Sequence, residues 1–150
     1  MTKKTASVRW TGRGKTGHGL ISTETRALND YPYGFGSRFE DDRRGTNPEE
    51  ILGAALAACF TMAFSFACDK AGMETVRIDT TASVRLIMHD EDFAIDHIAL
   101  TMEALVPGMD QAVFQELAEM AKRNCPLSKA LASIPEISLQ ATLIPEADPR

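Results

Sequence analysis

The sequence predicts an α+β fold with largely antiparallel sheets, and three observations carry that expectation. Segments alternating between apolar and polar residues flank one long apolar run. The run is preceded by a helix start, Asn47-Pro48-Glu49-Glu50, and followed by a glycine stop at Gly72. The resulting order, strands, helix, strands, helix, strand, is that of an α+β protein and not of an alternating α/β one. At 150 residues the chain is sized for one well-buried domain, 1–150. Its 44% hydrophobic and 25% charged residues are those of a globular protein and exclude wholesale disorder.

Ser7-Val8-Arg9-Trp10 and Gly19-Leu20-Ile21-Ser22-Thr23 read as strands joined through glycine turns. Tyr31-Pro32-Tyr33-Gly34-Phe35-Gly36 reads as an aromatic, turn-rich loop leading into the charged stretch Arg38 to Arg44. Asn47 then caps a helix. Pro48 takes its first position, where a missing N–H costs nothing, and Glu49 and Glu50 lie where the helix dipole favours negative charge. That helix is expected to reach about Lys70. Val76 to Met88 and Phe93 to Val106 alternate on either side of His89-Asp90-Glu91-Asp92 and predict an antiparallel pair. Asp110 caps a helix with Val113, Phe114, Leu117 and Met120 as its apolar face. Pro126 opens a short helix to Ala132, and Ile137 to Leu143 is the last strand.

Charge narrows the function. The net charge of −5 argues against nucleic acid as a partner, which is met by a basic patch or stripe. Lys3, Lys4, Arg9, Arg13 and Lys15 are interspersed with Gly and Thr and read as a solvated arm. The basic start is not followed by an apolar stretch of the secretory kind. Ile51 to Cys68 carries no charge over roughly 18 residues, the lower edge of a membrane span. It is rich in Ala and interrupted by Gly53, Thr61 and Ser65, so a buried core helix is expected and not a membrane partner. Three cysteines without an export signal point to a reducing, cytoplasmic setting and to thiol chemistry.

Two motifs are decoys. Gly12-Arg13-Gly14-Lys15-Thr16-Gly17 spells a dinucleotide fingerprint, yet a strand follows it where a helix N-terminus is needed. His18, His89 and His97 are scattered and pair with no Cys or His at a ligand spacing, so no metal is expected.

The thiols are more informative. The helix from Pro48 is apolar nearly all round, which predicts a central helix covered on most sides. Cys59, in its middle, is either a small core hydrophobe or a reactive thiol. Burial raises a thiol pKa, and mid-helix gains little from the dipole, so a reactive Cys59 needs a nearby cation. Arg38, between Phe35 and Phe39, is a candidate, with Glu49 to hold its guanidinium in a two-point grip; Arg43 and Arg44 are near enough to compete. Ten helical residues separate Glu49 from Cys59, roughly 15 Å of rise. If both serve one site, the helix must pack antiparallel on its twin in a two-fold dimer. Cys125 precedes Pro126 and so falls at an N-cap, facing unpaired N–H groups that favour a thiolate. Cys68, nine residues beyond Cys59, falls on a different face and reads as packing.

Gly45-Thr46-Asn47-Pro48-Glu49-Glu50, Ala57-Ala58-Cys59-Phe60 and Asn124-Cys125-Pro126-Leu127-Ser128 together resemble the osmotically inducible protein C and organic hydroperoxide resistance (OsmC/Ohr) superfamily. Pro32-Tyr33-Gly34-Phe35 and Ser37-Arg38-Phe39-Glu40 are similar to the OsmC-like branch, and the resemblance spans essentially the whole chain. It implies an intertwined homodimer with shared active sites, its central helices packed between sheets from both chains. It also implies a cysteine-based peroxidase acting on organic hydroperoxides. Cys59 is then the peroxidatic thiolate, Cys125 the resolving thiol, Arg38 the activating cation and Glu49 its carboxylate partner. Phe35, Phe39, Phe60 and Met62 would form an apolar mouth. No cofactor is implied beyond an external thiol or dithiol reductant such as a lipoyl group. The competing readings are a thiol redox sensor and a non-catalytic osmotic-stress protein.

Overall fold

The computed structural model describes residues 1–146. Its contacts divide the chain into two compact units, Met1–Ile51 and Leu52–Arg150, with the division inside one helix.

The first unit is a three-stranded antiparallel sheet, β1 (Ala6–Thr11), β2 (His18–Thr23) and β3 (Tyr31–Tyr33), in that order. The glycine-rich segment between β1 and β2 is a turn that feeds a strand, so it offers no helix end for a phosphate. Two features differ from expectation. Tyr31–Tyr33 pairs as a strand, and the segment holding Arg38 is not a loop but a short helix, α1 (Phe35–Phe39). The Ser37 hydroxyl explains the helix. It accepts from the Gly34 N–H at 3.0 Å and donates to the Thr46 carbonyl at 2.7 Å, satisfying a backbone donor at the helix start. Gly45 passes so close that a β-carbon there would lie 2.7 Å from the Pro32 carbonyl oxygen. A side chain at 45 would therefore push the α1 connection away from β3.

Helix α2 (Pro48–Lys70) follows expectation at both ends. The Asn47 side chain accepts from the Glu50 N–H at 2.8 Å, and Gly72 takes φ +77° after the last turn. In the second unit, β4 (Arg77–His89) and β5 (Asp92–Leu105) form a long antiparallel hairpin. Its two-residue turn places Asp90 at φ +58°, a conformation Asp tolerates better than most residues. Helix α3 (Gln111–Asn124) is capped by Asp110, whose carboxylate accepts from the N–H groups of Ala112 and Val113. Helix α4 (Pro126–Ala130) follows, and β6 (Glu136–Leu143) lies parallel to β5, the one parallel pair among the described strands. The α3–α4 crossover makes parallel pairing possible, since strands joined that way need not reverse direction.

The core of this unit joins Leu56, Phe60, Phe64 and Cys68 of α2 to Ile98, Leu100 and Met102 of β5 and to Phe114, Ala118 and Ala121 of α3. Phe64 and Phe114 meet edge to face at 5.5 Å, and burial of each such ring contributes about 2–3 kcal/mol. Two expectations about faces are corrected. Val113 and Met120 are 40% and 36% exposed, because α3 turns its Phe114, Ala118 and Ala121 side inward. Helix α2 is not covered all round: Met62 and Phe66 are 62% and 58% exposed within one chain.

Candidate functional site

Each unit holds one half of the constellation read from the sequence. In the first, Arg38 grips Glu49 by two nitrogens: Nη2 donates to Oε1 at 2.7 Å, and Nε lies 3.1 and 3.3 Å from the two carboxylate oxygens. The pair is held in place from both sides. Asn47, the cap of α2, donates from Nδ2 to the Ser37 carbonyl at 3.1 Å, and Ser37 is bonded back to Thr46. The Glu49 side chain is only 11% exposed, so the ion pair is shielded on the acid side, while Arg38 keeps a face open. The Arg38 guanidinium also stands 5.2 Å over the Phe39 ring, which in turn packs on Phe35.

The other two arginines are spent locally. Arg44 pairs with Asp42 at 2.7 Å and Arg43 with Asp41 at 3.6 Å, both in the exposed loop after α1. The Arg44 guanidinium holds the Asp42 carboxyl down at about 2. Of the three candidate arginines, Arg38 is the one on Glu49.

In the second unit, Cys59 on α2 and Cys125 at the α3–α4 junction face each other as free thiols, with Sγ–Sγ 3.1 Å. They are sixty-six residues apart in sequence. Cys125 is both the C-cap of α3 and the N-cap of α4; its sulfur accepts from the Ser128 N–H at 3.5 Å and from the Ser128 hydroxyl at 3.6 Å. Cys125 is fully buried; Cys59 is half-buried, more open than a core thiol.

The two sulfurs have opposite acidities. Burial raises the Cys59 thiol, and its hydrogen bond to Cys125 raises it further, against a small opposing pull from the Leu127 N–H. At Cys125 burial also pushes upward, but the hydrogen bonds from Cys59, Ser128 and Leu127 outweigh it and bring the thiol below its usual value. The pair alone therefore puts its first negative charge on Cys125. To become the nucleophile, Cys59 needs positive charge from outside the pair.

Cys68 is enclosed in the core near the end of α2, and burial, reinforced by the neighbouring Asp69 carboxylate, pushes its thiol up to about 11. It is packing, as its position on the helix suggests. Phe60 is fully buried in the core and lines no mouth; Met62 stands exposed on α2. Among the described residues no group of three or more His, Cys, Asp or Glu side chains could hold a metal ion. His97 instead meets Ser138 at 2.9 Å and Glu136 at 3.0 Å across the β5–β6 pair.

Sequence reasoning missed two supporting residues, Ser37 and Ser128. Each stands three positions after the residue that caps its short helix, Gly34 or Cys125. The spacing of a polar residue three after a cap was the available signal.

Residues 40–140 match the OsmC family, described as OsmC-like protein. The chain is 47% identical over 140 residues to the peroxiredoxin OsmC of Escherichia coli (strain K12), covering 93% of this chain and 96% of that one. It is 29% identical over 128 residues to the organic hydroperoxide resistance protein OhrB of Bacillus subtilis (strain 168), covering 85% and 90%. The crystal structure of the Bacillus subtilis OhrB superposes with a TM-score of 0.66 at 27% identity, over 93% of this chain and 98% of that one. An OsmC-like protein from Mycoplasma pneumoniae shares the fold at a TM-score of 0.75 and 15% identity, over 96% and 99%.

Proposed function

Because the chain belongs to the OsmC family, we propose that it is a thiol-dependent peroxidase that reduces organic hydroperoxides to alcohols, with Cys59 as the peroxidatic and Cys125 as the resolving thiol. The observation that carries the reading is the 3.1 Å separation of their sulfurs, made by residues distant in sequence. A pair of inert core cysteines has no reason to converge on a helix cap that favours a thiolate.

The Cys59 thiolate attacks the terminal oxygen of R–O–OH. The O–O bond breaks, RO⁻ leaves and takes up a proton to become the alcohol, and Cys59 is left as a sulfenic acid. Arg38, anchored by Glu49, is the cation that holds Cys59 ionised and stabilises charge on the leaving oxygen. The Cys125 thiolate then attacks the Cys59 sulfur and expels hydroxide, which is protonated to water, closing a disulfide. An external dithiol, of which a protein-bound lipoyl group is one chemical type, reduces it. No metal or organic cofactor takes part. A reducing cytoplasm is the compartment that supplies such thiols.

The working unit is a homodimer with shared sites. Its support is the uncovered apolar side of α2, where Met62 and Phe66 stand exposed, together with the helical rise of roughly 15 Å between Glu49 and Cys59. Two antiparallel copies of α2 would bring the first turn of one helix beside the middle of the other. Within that dimer the whole chain serves as one peroxidase domain. A stable monomer that turns over at the full rate in sedimentation and activity assays would remove this element.

The test of the function is consumption of cumene hydroperoxide with a dithiol in excess. Many equivalents per protein are expected. One equivalent followed by arrest would indicate a sensor, and none an inert protein.

A further inference from the structure

We propose that Ser128 is a positioning residue for the resolving step, holding the Cys125 sulfur aimed at Cys59 through a hydrogen bond from its side-chain hydroxyl. The inference rests on the role of Cys125 given above and names what makes that role fast.

Cys125 sits between two helices and is fully buried, so its sulfur has few ways to meet water. A buried thiolate must be satisfied by protein donors. Ser128 supplies two of them, its backbone N–H at 3.5 Å and its hydroxyl at 3.6 Å. Both come from one residue in the first turn of α4, on the chain that Pro126 constrains. The Leu127 N–H, also in α4, acts in the same direction, and the Cys59 sulfur lies 3.1 Å away. When Cys59 is oxidised the thiol–thiol contact is lost, and the hydrogen bonds from α4 remain to keep the Cys125 sulfur satisfied and pointed at its target.

The chemistry balances without a further reagent. The Cys125 thiolate forms the S–S bond, the S–O bond of the Cys59 sulfenic acid breaks, and hydroxide leaves to be protonated. A second peroxide competes for the same sulfenic acid and oxidises it to the sulfinic acid, which no thiol reverses. Ser128 therefore acts on the partition between disulfide and sulfinic acid.

The test is a single-turnover series in which reduced protein is mixed with graded cumene hydroperoxide and quenched for intact mass. The rate of disulfide closure is divided by the rate of Cys59 oxidation in the same traces. In Ser128→Ala the backbone donor remains, and loss of one hydrogen bond to a charged sulfur is expected to slow closure by roughly tenfold. The peroxide level giving half sulfinic acid should fall by the same factor. Ser128→Thr, which keeps the hydroxyl, should return both values to within about twofold of the parent. A merely structural role would move folding and not this ratio, and threonine would have no reason to rescue it. An unchanged partition in Ser128→Ala overturns the proposal while leaving the Cys59–Cys125 reading intact. Failure of the parent protein itself to close the disulfide overturns both.

Discussion

Cys59 and Cys68 lie on the same helix, nine residues apart, and their surroundings make them different chemical groups. Cys68 is sealed among apolar side chains beside Asp69, and its proton is held to about pH 11. Cys59 is half-buried and faces a second sulfur at 3.1 Å. Residue type and helix are shared, so what separates the two thiols is exposure and the groups brought to each: a second sulfur and a partly open face at Cys59, closed apolar packing at Cys68. The thiolate is the nucleophile, and only a site that lowers its cost in a dry environment makes one.

The contrast breaks most directly at Cys59. Cys59→Ser is expected to bring peroxide consumption to the uncatalysed rate, whereas Cys68→Ala should turn over like the parent. A steady-state assay showing the reverse would exchange the roles of the two sulfurs. Next in size is the cation. Arg38→Ala should lower kcat/KM by about a hundred- to a thousandfold, the scale of removing one preorganised charge-stabilising donor. Iodoacetamide labelling of Cys59 should shift to higher pH in that variant, and an unchanged labelling profile would mean another group ionises the thiol. Cys125→Ser should consume one equivalent of peroxide and then over-oxidise unless exogenous thiol is present, as read by intact mass.

The smallest effects belong to Cys68. Replacing it with alanine removes one buried atom and is expected to cost about 1 kcal/mol in denaturant unfolding. Its linkage to pH has a definite sign. The folded protein keeps this proton to higher pH than the unfolded chain, whose thiol has an ordinary value of 9.0. The contribution is therefore complete below pH 9 and is lost as pH rises toward about 11. In native protein at neutral pH Cys68 should resist disulfide exchange reagents that reach Cys59, and label only on unfolding.

Much of the fold was legible because local rules govern it. Asn47, Pro48 and Gly72 bound α2, and Asp110 caps α3, through hydrogen bonds and backbone angles settled within a few residues. The β4–β5 hairpin follows from alternation around an acidic turn. The misses are equally physical. Helix α1 depends on Ser37 reaching the Thr46 carbonyl nine residues away, and aromatic spelling around it signalled a turn instead. The inward face of α3 uses Phe114, Ala118 and Ala121, and the weak apolar signal of the two alanines is outvoted in the sequence by Val113 and Met120.

Of the site, residue types, motifs and Arg38 as the candidate for the Glu49 grip were readable; the choice among the arginines and the distances were not. Glu49 in the first turn of α2 and Cys125 before a proline are consequences of capping, which is encoded next door in the chain. That Arg38 and not Arg43 or Arg44 takes the Glu49 carboxylate was decided by the α1 connection, since all three arginines are equivalent as letters. The meeting of positions 59 and 125 likewise belongs to tertiary packing. Capping and alternation are short-range energies that a sequence carries on its face. Distance between remote side chains, and with it the acidity of each sulfur, exists only once helices have packed and water has been excluded.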